Sequence, residues 1–511
     1  MKALSGWLEG RRGWATAFAA GLLSAAGFEP IGWWPLTIAA FAILAELLLR
    51  TPSLKGAAAL GWFFGLGQFL LGLNWIATAF SYQDAMPAWL GWVGVVLLSI
   101  YLAAYPALAA LGAKWAGRDK TPALIFALAG AWAIGEFLRG TLFTGFAWNP
   151  VAVALVDMGS FKLVPWVGTY GLSVVAVLIA GICWLVARRT YLFAFLILAF
   201  IGTLGILPSP RLLPPGNTVQ LTIVQPNIDQ ADKWRPGFDS VAAERLLTLS
   251  NAGKDDGPRI ILWPEAAVTD PLEDERTRAA GAVAFERARA VRALGDDDVL
   301  ITGGIALQSA DGIGVGGATN SIFALSPDGR ITGRYDKSHL VPYGEYLPMR
   351  ALLEPIGLSR LAPGAFDFSA GPGPENLDIP GIGLVGMQIC YEIIFPGAVI
   401  DRDARPRFLF NPSNDAWFGS FGPPQHLAQA RLRAAEEAIP IIRATPTGIS
   451  AVIDARGQIL DSLPWREAGI IDSELPWVGA PTLFSRLGNW LSMAFALLLF
   501  MTGVALRRLA R

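Results

Sequence analysis

Cysteine and histidine are nearly missing from this chain, with two of each in 511 residues. So few sulfur and nitrogen donors exclude a tetrahedral zinc site and a scaffold stapled by disulfides. Charge is scarce too: 16% of residues are charged, against about 25% in ordinary soluble domains. The formal net charge is −1, so no global field argues for nucleic acid as a partner. A Gly-x-Ser-x-Gly turn is also absent, which removes the usual serine-hydrolase elbow.

What the chain has in abundance is apolar length. Hydrophobic residues make up 53% of it, and nearly all the long uncharged stretches fall before residue 208 or after residue 487. Taking stretches of roughly 18 or more apolar residues as membrane spans places candidates near 13–28, 32–49, 57–80, 87–113, 122–138, 163–187, 191–207 and 488–506. Eight spans put both termini on one side. Lys2, Arg11, Arg12, Arg50, Lys55, Lys114, Arg118, Lys120, Arg188, Arg189, Arg507, Arg508 and Arg511 then share that compartment, while the opposite short loops carry Arg139 and Lys162. By the positive-inside rule the termini are expected in the cytoplasm and the large segment outside. Arg11-Arg12 reads as a topology anchor, with no cleaved leader expected, because no small-residue cleavage site follows. Three parts are expected: a seven-span bundle over 1–207, an extracytoplasmic domain over 208–487, and a last helix with a cytoplasmic tail over 488–511.

The middle segment has the composition of a soluble domain. A stiff linker, Leu207 to Pro210 and Pro214 to Asn217, leads into it. Strands are expected at Val219 to Val224, Arg259 to Trp263, Val299 to Gly304, Ser321 to Ser326, Ile382 to Cys390, Phe408 to Pro412, Ile439 to Arg443 and Ile449 to Ile453. Helical periodicity marks 238–252, 276–294 and 424–438. Asp328-Gly329 and Ala455-Arg456-Gly457 read as hairpin turns. Such alternation predicts an α/β layered domain with chemistry at strand ends.

Cys390 ends one of those strands, in the run Val385 to Glu392. A thiolate attacks a carbonyl carbon far better than a hydroxyl does at neutral pH. Cys183 lies inside a candidate span, where an inert packing thiol is expected. Glu265 follows the apolar run Ile260 to Pro264, and Lys337 sits in the dense polar loop Arg334 to Glu345. A carboxylate can take the thiol proton, and an ammonium with the Tyr391 N–H can stabilise an oxyanion. Acyl transfer through a thioester then needs neither histidine nor any cofactor.

In the order Glu, Lys, Cys these residues resemble the nitrilase superfamily, whose domains share that triad on an αββα sandwich. Carried on eight spans, they resemble the apolipoprotein N-acyltransferase family. The motifs are Leu262-Trp263-Pro264-Glu265, Lys337-x-His339-Leu340-Val341-Pro342-Tyr343-Gly344-Glu345, Cys390-Tyr391-Glu392 and Asn411-Pro412-Ser413-Asn414-Asp415-Ala416-Trp417-Phe418-Gly419. Membrane blocks such as Glu136-x-x-Arg139-Gly140 and Thr144-Gly145-Phe146-x-Trp148 match as well. The resemblance implies a polytopic α-helical bundle joined to an α/β nitrilase-like sandwich. It implies Glu265 as general base, Lys337 as oxyanion stabiliser, Cys390 as acyl carrier and Glu345 as the carboxylate orienting Lys337, with Tyr391 and Glu392 in support. Trp234, Trp148, Tyr343, Asn414 and Trp417 fall on its motifs as substrate-binding positions. Arg139 is expected to meet a lipid phosphate, to snorkel as an anchor, or to pair with Glu136 across one helical turn. Pro446 stands where the family is expected to carry asparagine, so no contact is transferred there.

The implied activity moves a fatty acyl group from a membrane phospholipid to the N-terminal diacylglyceryl-cysteine of apolipoproteins. The implied setting is a monomer in the bacterial inner membrane, its catalytic domain on the periplasmic side. An apolar stretch broken by Pro and Gly, Leu352 to Gly364, is expected to form a lid that guides acyl chains. Two rivals stand beside this: a membrane-anchored amidase with the same triad, and a transporter with an external binding domain. Few ionisable groups inside the spans disfavour the transporter.

Overall fold

The computed structural model describes residues 10–82, 86–214, 217–233, 235, 237–253, 258–357, 359–361 and 366–509. The chain divides into two compact units, one of Met1–Ala77, Trp89–Pro210 and Pro481–Arg511, the other of Thr78–Ala88 and Arg211–Ala480.

The first unit is helical at every place where the apolar pattern asks for a span. It holds α1 (Arg11–Ala25), α2 (Trp34–Arg50), α3 (Leu54–Gly72), α4 (Leu90–Leu102) continued by α5 (Ala104–Gly117), α6 (Thr121–Thr141), α7 (Val164–Ala187), α8 (Tyr191–Gly205) and a C-terminal helix (Asn489–Leu509). Among the described residues, five stretches are long and apolar enough to cross a membrane: Leu54–Gly72, Leu90–Gly117, Thr121–Thr141, Gly159–Ala187 and Asn489–Leu509. Helices α1, α2 and α8, at 15, 17 and 15 residues, fall short of the roughly 20 that a hydrocarbon core asks for. The stretch expected over 57–80 stops at Gly72, where Leu73 leaves helical backbone at φ −118°.

The basic helix ends meet one another. Glu46 on α2 accepts from Arg50 and from Trp184 of α7 and lies 3.6 Å from Arg188. Lys114 at the end of α5 donates to the Leu49 carbonyl, and Arg507 of the C-terminal helix to that of Trp115. Four helix ends carrying basic residues thus lie at one end of the bundle. Cys183, expected as a packing thiol, is instead exposed on α7.

The second unit is built on two large sheets, apart from a short two-stranded pair of Leu212–Leu213 with Val478–Gly479. Its strands are β1 (Gln220–Gln225), β2 (Arg259–Leu262), β3 (Val299–Gln308), β4 (Gly317–Leu325), β5 (Ile331–Asp336), β6 (Asn376–Ile379), β7 (Gly383–Met387), β8 (Phe408–Pro412), β9 (Ile441–Ala444), β10 (Ala451–Ile453), β11 (Ile459–Ser462) and β12 (Gly469–Glu474). One sheet runs β12-β1-β2-β3-β4-β5 and the other β11-β10-β9-β8-β7-β6. Side chains alternate faces along a strand, and both faces of the first sheet are covered. Ile260 and Leu262 join Val385, Met387, Phe408 and Phe410 between the sheets, while Ile261 and Trp263 pack with Leu246 and Ala290 beneath the helices. Double burial is why β2 reads as an unbroken apolar run. Those helices are α9 (Phe238–Asn251) and α10 (Ala280–Ala290); α11 (Gly422–Glu437) is the crossover between the parallel strands β8 and β9.

Candidate active site

Three strand ends converge. Pro264, which has no N–H to extend the ladder, turns the chain out of β2 and presents Glu265. Gly303 on β3 makes room for that turn, since a Cβ there would lie 2.7 Å from the Glu265 Cα. Lys337 follows β5, pinned by its own N–H to the Asn320 carbonyl at 2.9 Å. Cys390 opens a 3-10 turn after β7 with φ at 50°. That is left-handed backbone, uncommon for a residue with a side chain and held only where the surroundings enforce it.

Asn320 ties the carboxylates together, donating to Glu265 Oε1 at 2.8 Å and to Glu345 Oε1 at 2.9 Å. Lys337 Nζ donates to Glu345 Oε1 at 2.9 Å and lies 3.8 Å from Glu265 Oε1. The Val341 N–H fixes the other Glu345 oxygen at 2.8 Å, and the Asn414 N–H fixes the other Glu265 oxygen at 2.7 Å. All of these side chains are buried, Lys337 at 1% exposure and Cys390 at 5%. Burial pulls the Lys337 ammonium down, but Glu345, Glu265 and Cys390 outweigh it, so its pKa rises and it stays charged. Burial pushes the Cys390 thiol up, and Glu265 and Asp415 add to that; Lys337 and the Asn414 N–H oppose without cancelling. A protonated thiol beside a fixed carboxylate and a permanent ammonium is suited to attack only when a base removes its proton.

Glu392 locks the Lys337 loop to the Cys390 turn. Its Oε1 accepts from the Tyr335 hydroxyl, the Ser338 N–H and hydroxyl and the His339 N–H, at 2.7 to 3.0 Å. Its Oε2 accepts from the Ile389 N–H at 2.6 Å. Burial pushes this carboxyl up, against those donors.

The chain matches the apolipoprotein N-acyltransferase N-terminal domain over residues 20–182 and the carbon-nitrogen hydrolase family over residues 220–479. The apolipoprotein N-acyltransferase of Rhodopseudomonas palustris is 35% identical over 96% of this chain and 94% of its own length. That of Caulobacter vibrioides is 36% identical over 97% and 94%. This chain belongs to the apolipoprotein N-acyltransferase family. Solved structures offer a slighter likeness, 18% identity with an amidase from Nesterenkonia sp. AN1 at a TM-score of 0.35, covering 52% of this chain and 93% of that one. Nit3 of Saccharomyces cerevisiae gives 17%, 0.36, 53% and 93%. The nitrilase-like fold rests on the family match and the two sheets.

The remaining positions drawn from the apolipoprotein N-acyltransferase motifs divide between the units. Asn414 and Trp417 lie in the sheet unit; Asn414 Nδ2 donates to Gln230 at 2.8 Å, and the Trp417 ring meets Tyr82 edge-on at 5.8 Å. Tyr343 is half exposed with φ at 63° and accepts from the Leu361 N–H. Tyr391 is buried, its ring edge-on to Phe395. Trp234 lies outside the described residues, as do Leu358 and 362–364 of the stretch expected to form a lid. In the helical unit Trp148 is fully buried and packs on Trp75. Arg139 is 3% exposed and donates to the carbonyls of Phe146 and Trp148 at 2.9 and 2.7 Å, clamping the loop after α6.

Sequence reading missed Asn320, the link between both carboxylates. It also missed Lys233, whose ammonium burial pulls down to about 8 with Glu265 opposing. A third omission is the buried cluster of Asp415, His426 and Arg443. Arg443 interrupts the apolar run of β9, and a charge inside a buried strand was the signal available.

Proposed function

We propose that this chain is an N-acyltransferase that moves a fatty acyl group from a membrane phospholipid onto the α-amine of an apolipoprotein's diacylglyceryl-cysteine. Glu265 removes the Cys390 proton as sulfur attacks the ester carbonyl carbon. The oxyanion forms against Lys337 Nζ and the Tyr391 N–H. Collapse breaks the C–O bond, and Glu265 returns the proton to the leaving lysophospholipid, so Cys390 is left as a thioester. The amine then attacks that thioester and gives its proton to Glu265; the C–S bond breaks, and the thiolate recovers the proton. Glu345 and Asn320 hold the ammonium and the base in register. No metal or cofactor is required.

The observation that carries this reading is a buried Glu265–Lys337 pair beside a protonated thiol, on a chain matching apolipoprotein N-acyltransferases along nearly its whole length. A hydrolase of small soluble amides is disfavoured, since it has no use for the matching helical half. The bundle is read as eight spans with both termini cytoplasmic and the sheet unit periplasmic. The gathering of Arg50, Lys114, Arg188 and Arg507 at one end of the bundle supports that orientation.

The test supplies the purified chain with phospholipid vesicles and a synthetic diacylglyceryl-cysteine peptide. Appearance of N-acyl peptide and lysophospholipid in equal amounts is expected. Release of free fatty acid with no acylated peptide would replace the transferase with a hydrolase.

A further inference from the structure

At the Cys390 carbonyl lies a second buried polar cluster that the reaction above does not use. His426 on α11 points its Nε2 at the Cys390 carbonyl oxygen, 3.1 Å away. A carbonyl oxygen only accepts, so this nitrogen carries the hydrogen. The other ring nitrogen lies 2.9 Å from Asp415 Oδ1 and 2.9 Å from Arg443 Nη2. Arg443 Nη2 also pairs with Asp415 Oδ2 at 2.6 Å, and its Nη1 donates to Ser413 Oγ at 3.0 Å. Asn411, held by Arg443, places its Nδ2 2.6 Å from the Gln388 carbonyl and 3.5 Å from that of Cys390. The side chains of Asp415, His426 and Arg443 are wholly buried.

The Cys390 carbonyl belongs to the peptide whose N–H is Tyr391's. That peptide is trans, so its carbonyl and its N–H point in opposite directions. Whatever fixes the carbonyl behind the turn aims the N–H in front of it. Cys390 sits at φ 50°, a conformation that relaxes unless something enforces it. We propose that His426, held by Asp415 and Arg443, is a positioning residue that aims the Tyr391 N–H at the developing oxyanion through its grip on the Cys390 carbonyl. The inference deepens the thioester reading and rests on it. Neutral or protonated, the ring keeps its Nε2 hydrogen, so the grip does not switch with pH.

The test compares the full-length chain with His426→Gln, whose amide can still donate to that carbonyl, and with His426→Leu, which cannot. All carry Cys183→Ala so that one thiol is read. Two rates are followed at Cys390 by mass spectrometry: thioester formation from phospholipid vesicles, and alkylation by iodoacetamide. Alkylation is a displacement that builds no oxyanion, so it reports the thiol and its fold alone. Expected is a fall of about 100-fold in thioester formation for His426→Leu, at unchanged KM, with alkylation kept and with His426→Gln close to the parent. Equal thioester formation in His426→Leu and the parent overturns the proposal. So does a parallel loss of both rates, which would make the residue merely structural. Failure of the parent itself to form a thioester sinks the transferase reading instead and is thereby told apart.

Discussion

Two buried ion clusters flank Cys390, and what each one faces separates their work. On the thiol side, Glu265, Lys337 and Glu345 form a chain in which Lys337 gives one hydrogen bond to Glu345 and stands 3.8 Å from Glu265. An ammonium has three donors, so this arrangement has capacity left for a charge that appears only during reaction. On the carbonyl side, Asp415, His426 and Arg443 close on one another and on the backbone of the turn. The first cluster can hand a proton to and fro, whereas the second holds a shape. Burial serves both, because low dielectric strengthens every charge interaction and makes any unpaired group costly.

If that division holds, breaking each side damages a different quantity. Lys337→Met keeps length and removes charge; thioester formation should fall by about 10²- to 10³-fold, read as initial rates of acylation. The carbonyl side answers differently. Asp415→Asn keeps the shape while removing one partner of a buried pair, and it should cost about 2–3 kcal/mol of stability, seen as a lowered Tm, with a smaller change in acylation rate of the folded fraction. A folded fraction of Asp415→Asn that acylates as slowly as Lys337→Met would erase the contrast.

A pH titration sharpens it further. Because the Cys390 pKa is raised, its thiolate forms at higher pH than that of an ordinary cysteine, near 8.5. Alkylation of Cys390 should keep climbing with pH through that range instead of levelling off, and Lys337→Met, which removes an opposing positive charge, should push the rise higher still. The smallest effect is expected at the rim. Leu352 and Met349 are 69% and 63% exposed on the segment after the Lys337 loop, the stretch expected to form a lid. Leu352→Ser should slow acylation from phospholipid vesicles several-fold and leave a short soluble thioester donor unaffected, as a paired rate measurement would show.

How much of this was legible follows from where each residue sits. Glu265 and Cys390 each follow an apolar strand, so the change from buried run to polar residue announced them, whereas Lys337 follows the polar strand β5 and was legible from its dense polar loop and the family motif. Strands buried on both faces, such as β2 and β8, were read for the same reason. Strands β5, β6, β11 and β12 were not, because they lie at or near sheet edges and carry half-exposed or polar positions; every residue of Ile459–Ser462 is exposed. Asn320, His426 and Arg443 escaped because their meaning is made by contacts between residues far apart in the chain. Arg139 shows a contact that sequence did not announce. A guanidinium near a predicted helix end suggested a lipid phosphate or Glu136 as partner, and in the structure it also donates to two carbonyls of the loop after α6.

The central claim is that Cys390 carries the acyl group between two lipids. Intact-mass and peptide mass spectrometry of the purified chain, after incubation with a phospholipid of defined chain length and no acceptor, tests it most directly. An increase equal to one acyl chain on the Cys390 peptide is predicted, absent in Cys390→Ala and discharged when the diacylglyceryl-cysteine peptide is added. An unmodified Cys390 peptide, or an adduct that the acceptor cannot discharge, would contradict it.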